Sequence, residues 1–235
     1  MDIVWTKTLS LLDGDEHKGG QLFAALVKVV DLSKVASDMH DRITDTSWIK
    51  KMDVANQIAF NATSKRTIDK LVECIANRTS NNLSEDFGEY LISDAALEVM
   101  NSKFNHIKIP LAELIKEKIS GNPGFDFHSE APEKIIAYGE AKYSGIISRY
   151  ADALKQITSF IELKKDDAEL HLLRSFVSEQ AVANYASGKK SYVAAFSITA
   201  ADPEKVMANA IKSDHINSLA NYDGLYLIGV FIDVK

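Results

Sequence analysis

Gly121-Asn122-Pro123-Gly124 is the strongest break in the chain, and it dictates what can lie on either side of it. Proline carries no amide hydrogen and biases the residue before it away from the helical region, while glycine accepts backbone angles that other residues avoid. A helix opened by Pro110 and carrying Leu111, Leu114, Ile115 and Lys118 must therefore stop there. Beyond the break the pattern is extended. A strand from Phe125 to Phe127 or a little further, and a second from Lys134 to Tyr143, form a hairpin around the polar turn Ser129-Glu130-Ala131-Pro132-Glu133.

The side chains that can do chemistry sit on this hairpin. Alternate residues of a strand face the same side, so Glu140 and Lys142 project together while Ala141 packs behind them. With Asp126 on the preceding strand, two hard carboxylates could hold a divalent cation, and the amine could orient or help deprotonate a water attacking a phosphodiester. A bare Glu-x-Lys is a weak pattern, and Glu162-Leu163-Lys164 repeats it. That copy closes an expected helix beside Lys165 and Asp166, with no acid on a strand before it, and reads as a solvated charge cluster. The rival reading of Glu140 and Lys142 is a structural salt bridge at a strand end. His128, two residues after Asp126, either touches substrate or metal or fills the strand end. Glu130 replaces Asp126 as the first acid if the hairpin register is shifted. Lys155, Lys164, Lys165, Lys189 and Lys190 are either nucleic-acid contacts or solvated surface.

Around the hairpin the chain divides at the polar run Asn77-Arg78-Thr79-Ser80-Asn81-Asn82, read as a linker. Residues 1–80 form an N-terminal α-rich or α+β region. In it Gly20 to Val30 is strongly apolar and either helix or strand, and Thr67 to Ala76 is an amphipathic helix. Residues 84–235 form the second unit. Ser84 caps a helix with Glu85 and Asp86 in its first turn, running toward Met100. Helical spacing recurs from Ile147 to Ile161, and one long helix is expected from Asp166 to Tyr185. Strands at Ser191–Thr199 and Leu225–Val234 flank a helix from Pro203 to about Leu219. The fold class is α/β, a mixed sheet flanked by helices.

Composition narrows the chemistry. Of 235 residues 46% are hydrophobic, enough for a sizeable core, and the formal net charge of −6 makes a DNA-coating polycation untenable. A single cysteine, Cys74, excludes an intrachain disulfide and reads as a buried structural thiol. With six scattered histidines it offers no zinc-ligand spacing. No Gly-Lys-Ser/Thr phosphate loop and no Gly-x-Ser-x-Gly elbow occur. No basic-then-apolar leader and no run of about 20 apolar residues is visible, so no membrane association and a cytoplasmic setting are expected.

Asp126, a gap and Glu140-x-Lys142 on helix, strands, helix and strand resemble the PD-(D/E)xK nuclease superfamily. Within it, Phe87-Gly88-Glu89-Tyr90, Gly124-Phe125-Asp126-Phe127-His128 and Gly139-Glu140-Ala141-Lys142-Tyr143 are most similar to the HamA effectors of Hachiman anti-phage defence. The likeness covers about residue 84 to the end. Phe125 stands where the superfamily usually has proline. The resemblance implies a restriction-endonuclease-like core and a Mg²⁺-dependent (or Mn²⁺-dependent) DNA nuclease restrained by a helicase-like partner of HamB type. By position Asp126 and Glu140 would be metal ligands, Glu89 would complete the metal shell, Lys142 would be the catalytic lysine, and Gln156 would support the site. A non-catalytic adaptor or inhibitor module keeping the nuclease fold, and an RNA-cleaving toxin, remain as alternatives.

Overall fold

The computed structural model describes residues 1–11, 20–76, 83–116 and 124–233. Its centre is one mixed sheet of seven strands: β1 (Asp2–Ser10), β2 (Gln21–Val29), β3 (Ile107–Lys108), β4 (Phe127–Glu130), β5 (Ile136–Lys142), β6 (Ser191–Ile198) and β7 (Gly224–Ile232). The spatial order is β1-β2-β7-β6-β5-β4-β3. The central strands β2, β7, β6 and β5 run parallel, and antiparallel partners close both ends. Parallel neighbours need crossovers that cover the sheet faces, which explains why β6 and most of β7 are buried along their length.

The apolar run 20–30 is settled as strand β2. Its Leu22, Ala24, Ala25, Leu26 and Val27 are buried, as befits a strand lying between β1 and β7. The sheet therefore continues across both halves of the chain. The run 77–82 read as a linker lies outside the described residues.

Helices cover both faces: α1 (Leu32–Thr44), α2 (Val54–Ala76), α3 (Glu85–Phe104), α4 (Ala112–Ile115), α5 (Tyr150–Glu162), α6 (Lys165–Leu173), α7 (Glu179–Ala186) and α8 (Pro203–Ile211). The register assigns the two layers. Tyr226 of β7 lies opposite Val193, so it points away from the side taken by Tyr192. Phe104 of α3 packs on Tyr226 with Phe23, whereas Phe125 packs on Phe160 of α5 together with Tyr138 and Tyr192. α3 thus covers one face and α5 the other. Twelve residues of α3 are buried, including Phe87, Leu91, Ala95 and Val99, which is why no clean amphipathic stripe marks it.

Several boundaries differ from expectation. α3 begins where Ser84 accepts from the Phe87 amide, as read, but runs a turn past Met100 before Asn105 adopts a left-handed cap. The helix expected from Pro110 is only the four residues of α4, capped at Leu111, and Lys118 and Gly121 to Pro123 lie outside the described residues. The long helix expected from Asp166 to Tyr185 is two. After Leu173 the amides of Phe176 and Val177 turn back to its carbonyl, and Ser178 opens α7 by accepting from the Ala181 amide. Glu130 stabilises that start, since it accepts from both the Ser178 amide at 2.6 Å and the Ser178 hydroxyl at 3.0 Å. Ser178 followed by Glu179 is a local capping signal that the reading passed over, and the long-range bonds from Glu130 reinforce it. The segment to Leu219 likewise splits into α8 and a 3-10 helix, Asp214–Leu219. Among the described residues no helix is long and apolar enough to cross a membrane.

Candidate active site

The hairpin of β4 and β5 brings the expected acids to one end of the sheet. Phe127 lies opposite Gly139, and Asp126 stands one residue before β4. Its amide donates to the Gly139 carbonyl at 2.8 Å and its carboxylate accepts from the Ala141 amide at 2.9 Å. Asp126 is thereby tied to the peptides on either side of Glu140.

Glu140 is 1% exposed on the α5 face of β5. Its Oε1 accepts from Lys142 Nζ at 2.7 Å, while Oε2 is buried without a hydrogen-bond partner. Burial, and then the neighbouring Asp126 carboxylate, push Glu140 well above the usual carboxylate range; Lys142 opposes them and Glu89 adds to them. Burial alone would lower the Lys142 ammonium, but Glu140, Glu89 and Asp126 outweigh it and hold the proton on. Glu89 reaches the same amine from the opposite layer, 3.5 Å from Lys142 Nζ. Its approach depends on Gly88, because any Cβ there would collide with the Tyr143 ring just beyond β5.

Glu89 and Asp126 also line a small polar cleft with Asp86, Tyr90, Ser93 and Glu113. The sequence reading missed Glu113, a buried acid on α4. It belongs to a helix read for Leu111, Leu114, Ile115 and Lys118, and its position beside Asp126 arises from folding. Burial and the acids Glu113, Asp86 and Asp126 hold the Tyr90 phenol above its ordinary value.

The remaining candidates go elsewhere. His128 is buried and its Nε2 lies 2.7 Å from Glu169 Oε2. Glu130, the alternative first acid, is committed to Ser178 and to Lys134 at 3.0 Å. Gln156 is half-buried on α5, with no hydrogen bond to the acids or Lys142. Lys190 is held by Asp166 at 2.7 Å and lies over the Tyr185 ring, so it is committed to the protein interior. Glu162 is exposed at the end of α5, as its reading as a solvated charge requires. Cys74 is half-buried, and burial raises its thiol, the opposite of an activated nucleophile.

Among the described residues no three His, Cys, Asp or Glu side chains form a ready-made cation cage. Asp126, Glu140 and Glu89 nevertheless suit a hard cation in kind. They are oxygen donors, Glu140 and Glu89 both meeting Lys142 Nζ and Asp126 bearing on Glu140 through its charge, and the unpartnered Glu140 Oε2 is a buried acceptor that a cation would satisfy. No family model matches the chain, nor does any curated protein or solved structure.

Proposed function

We propose that this protein is a metal-dependent deoxyribonuclease with a PD-(D/E)xK-type core, acting as a Hachiman-like anti-phage effector under a helicase-like partner. One observation carries the hydrolytic reading: Glu140, with a buried oxygen lacking any partner, shares Lys142 with Glu89 and is acted on by the Asp126 carboxylate. A divalent cation, Mg²⁺ or Mn²⁺, held by Asp126, Glu140 and Glu89 would supply Lewis acidity and a bound water acidic enough to attack near neutral pH.

The chain's own residues do the rest. Burial of Glu140 strengthens its interaction with any charge beside it. Lys142, kept protonated, places a positive donor where negative charge develops on a cleaved phosphodiester or where the attacking water must be held. The narrower assignment to phage defence draws on the likeness of the Gly124–His128 and Gly139–Tyr143 segments to HamA effectors. The net charge of −6 agrees with it, since a partner would then supply the grip on DNA.

The test is incubation of the purified chain, with and without the product of the neighbouring gene, on supercoiled plasmid, linear DNA and RNA in Mg²⁺ or chelator. Cleavage that needs Mg²⁺ and vanishes in a folded E140A/K142A double variant supports the reading; cleavage surviving in that variant overturns it. Cutting of RNA alone moves the substrate class to the toxin alternative. The observation favouring a non-catalytic module is that Lys142 already bridges Glu140 and Glu89. Failure of Mg²⁺ and Mn²⁺ to bind at all would select that module.

A further inference from the structure

Behind the acids lies a second polar cluster that the proposed chemistry does not use. Glu169, on α6, is 8% exposed. Its Oε1 accepts from Lys116 Nζ at 2.7 Å and from the Phe125 amide at 3.1 Å, and its Oε2 meets His128 Nε2 at 2.7 Å. Lys116 also donates to the Phe125 carbonyl at 2.5 Å. Both polar groups of the Phe125 backbone are therefore held by side chains distant in sequence.

That grip bears directly on Asp126. The Phe125 carbonyl and the Asp126 amide belong to one peptide plane. Lys116 holds the oxygen of that plane, and the Gly139 carbonyl, 2.8 Å from the Asp126 nitrogen, holds its hydrogen. The Ala112 amide, 3.1 Å from the Asp126 carbonyl, holds the following peptide, and with both planes held the direction in which the Asp126 side chain leaves the backbone is fixed. Gly124 gives an independent sign that the segment is shaped around the cluster. A Cβ there would collide with Glu169 Oε1 and stand 2.8 Å from Lys116 Nζ, so the glycine is what leaves space for the pair. Apolar residues would fill such a buried site at least as stably, since burying charges carries a desolvation cost. What the charged pair adds over an apolar filling is directional hold on one peptide.

We infer that Glu169 and Lys116 are positioning residues that set Asp126 for cation binding, with Gly124 providing their room. The inference rests on the metal site proposed above. In it, Glu169 of α6 and Lys116 at the end of α4 orient Asp126 through the peptide that precedes it, as outer partners orient ligating carboxylates in known metal sites.

The experiment titrates Mn²⁺ calorimetrically into the purified full chain and its variants, with melting followed in parallel by circular dichroism. D126N and E140Q test the site itself. G124A and K116M test the clamp, and G124A displaces only the flexible ends of two side chains, so its fold survives. D166N is the structural control: it weakens another buried charge on α6, one held by Lys190 and Tyr192. The expected result is a loss of Mn²⁺ affinity of about tenfold in G124A and K116M, with D166N melting earlier at unchanged affinity. Wild-type affinity in G124A and K116M, alongside lost binding in D126N, overturns the positioning role and leaves the site standing. An equal loss in D166N overturns it too, by making the effect one of general packing. Wild-type affinity in D126N and E140Q overturns the site and this inference together.

Discussion

Lys142 Nζ lies 2.7 Å from one oxygen of Glu140, while the other oxygen of that carboxylate is buried with no partner. A buried charge satisfied on one side only is costly, and Asp126 nearby adds repulsion. Sites of this kind trade stability for function.

Glu140→Gln removes the repulsion and should raise the melting temperature of the cation-free protein. A gain of about 1 kcal/mol corresponds to roughly 2–4 °C for a chain of this size. Mg²⁺ should then raise the melting temperature of the wild type but not of the variant. Differential scanning calorimetry in chelator and in Mg²⁺ checks both; a variant stabilised by Mg²⁺ as much as the wild type contradicts the assignment of Glu140 as a ligand.

Gly88→Ala should force α3 away from the end of β5, because its methyl group meets the Tyr143 ring. Overpacking of this sort costs about 1–3 kcal/mol, and cleavage should fall with it because Glu89 is the next residue. Adding Tyr143→Ser should return part of both losses. Urea melts of the two single variants and the double variant measure the coupling, and additive effects would show that the two residues do not meet.

Glu130→Ala should separate the two acids of the β4 strand end. Loss of its bonds to Ser178 leaves the start of α7 unsatisfied, at a cost of about 1–3 kcal/mol. Cleavage per folded molecule should stay within about twofold of wild type, whereas Asp126→Ala should abolish it. Plasmid cleavage scored beside chemical denaturation distinguishes the two.

The contribution of the buried histidines to stability should fall as the solution is acidified from neutrality, while Glu140 and Asp94, both raised by burial, act in the opposite direction. His106 is buried between Ser129 and Tyr226, and burial pushes it down to about 4 from the ordinary value of about 6.5. Between those values the unfolded chain binds the proton and the folded chain does not. The contribution is therefore complete above pH about 6.5, shrinks as pH falls, and levels off near pH 4 after a loss of about 3 kcal/mol. His128, lowered by burial despite Glu169, acts in the same direction. Denaturant unfolding of the wild type and of His106→Gln from pH 7 to 4 should isolate the His106 contribution as the difference between their slopes, and parallel slopes would contradict it.

Local chemistry was legible where a neighbour in sequence enforces it. Ser84 followed by two acids gave the start of α3, and the alternation from Ile136 to Lys142 put Glu140 and Lys142 on one face of a strand. Periodicity could not say whether residues 20–30 were helix or strand, because a segment buried on both sides carries no polar face to set a period. The helix after Asp166 was not divided because the apolar spacing runs on past Ser178, whose cap on α7 is reinforced by Glu130, 48 residues earlier in the chain.

By itself, then, the sequence determined local features such as the start of α3 and the shared face of Glu140 and Lys142 on a strand, because side-chain alternation, capping and turn preferences act over a few residues. Tertiary structure alone decided which of those groups meet. Strand pairing laid Asp126 against the peptides flanking Glu140, α3 brought Glu89 to Lys142 at the end of β5, and α6 brought Glu169 to the backbone beside Asp126. Those distances are set by the burial of a shared core, and no run of neighbouring residues encodes them.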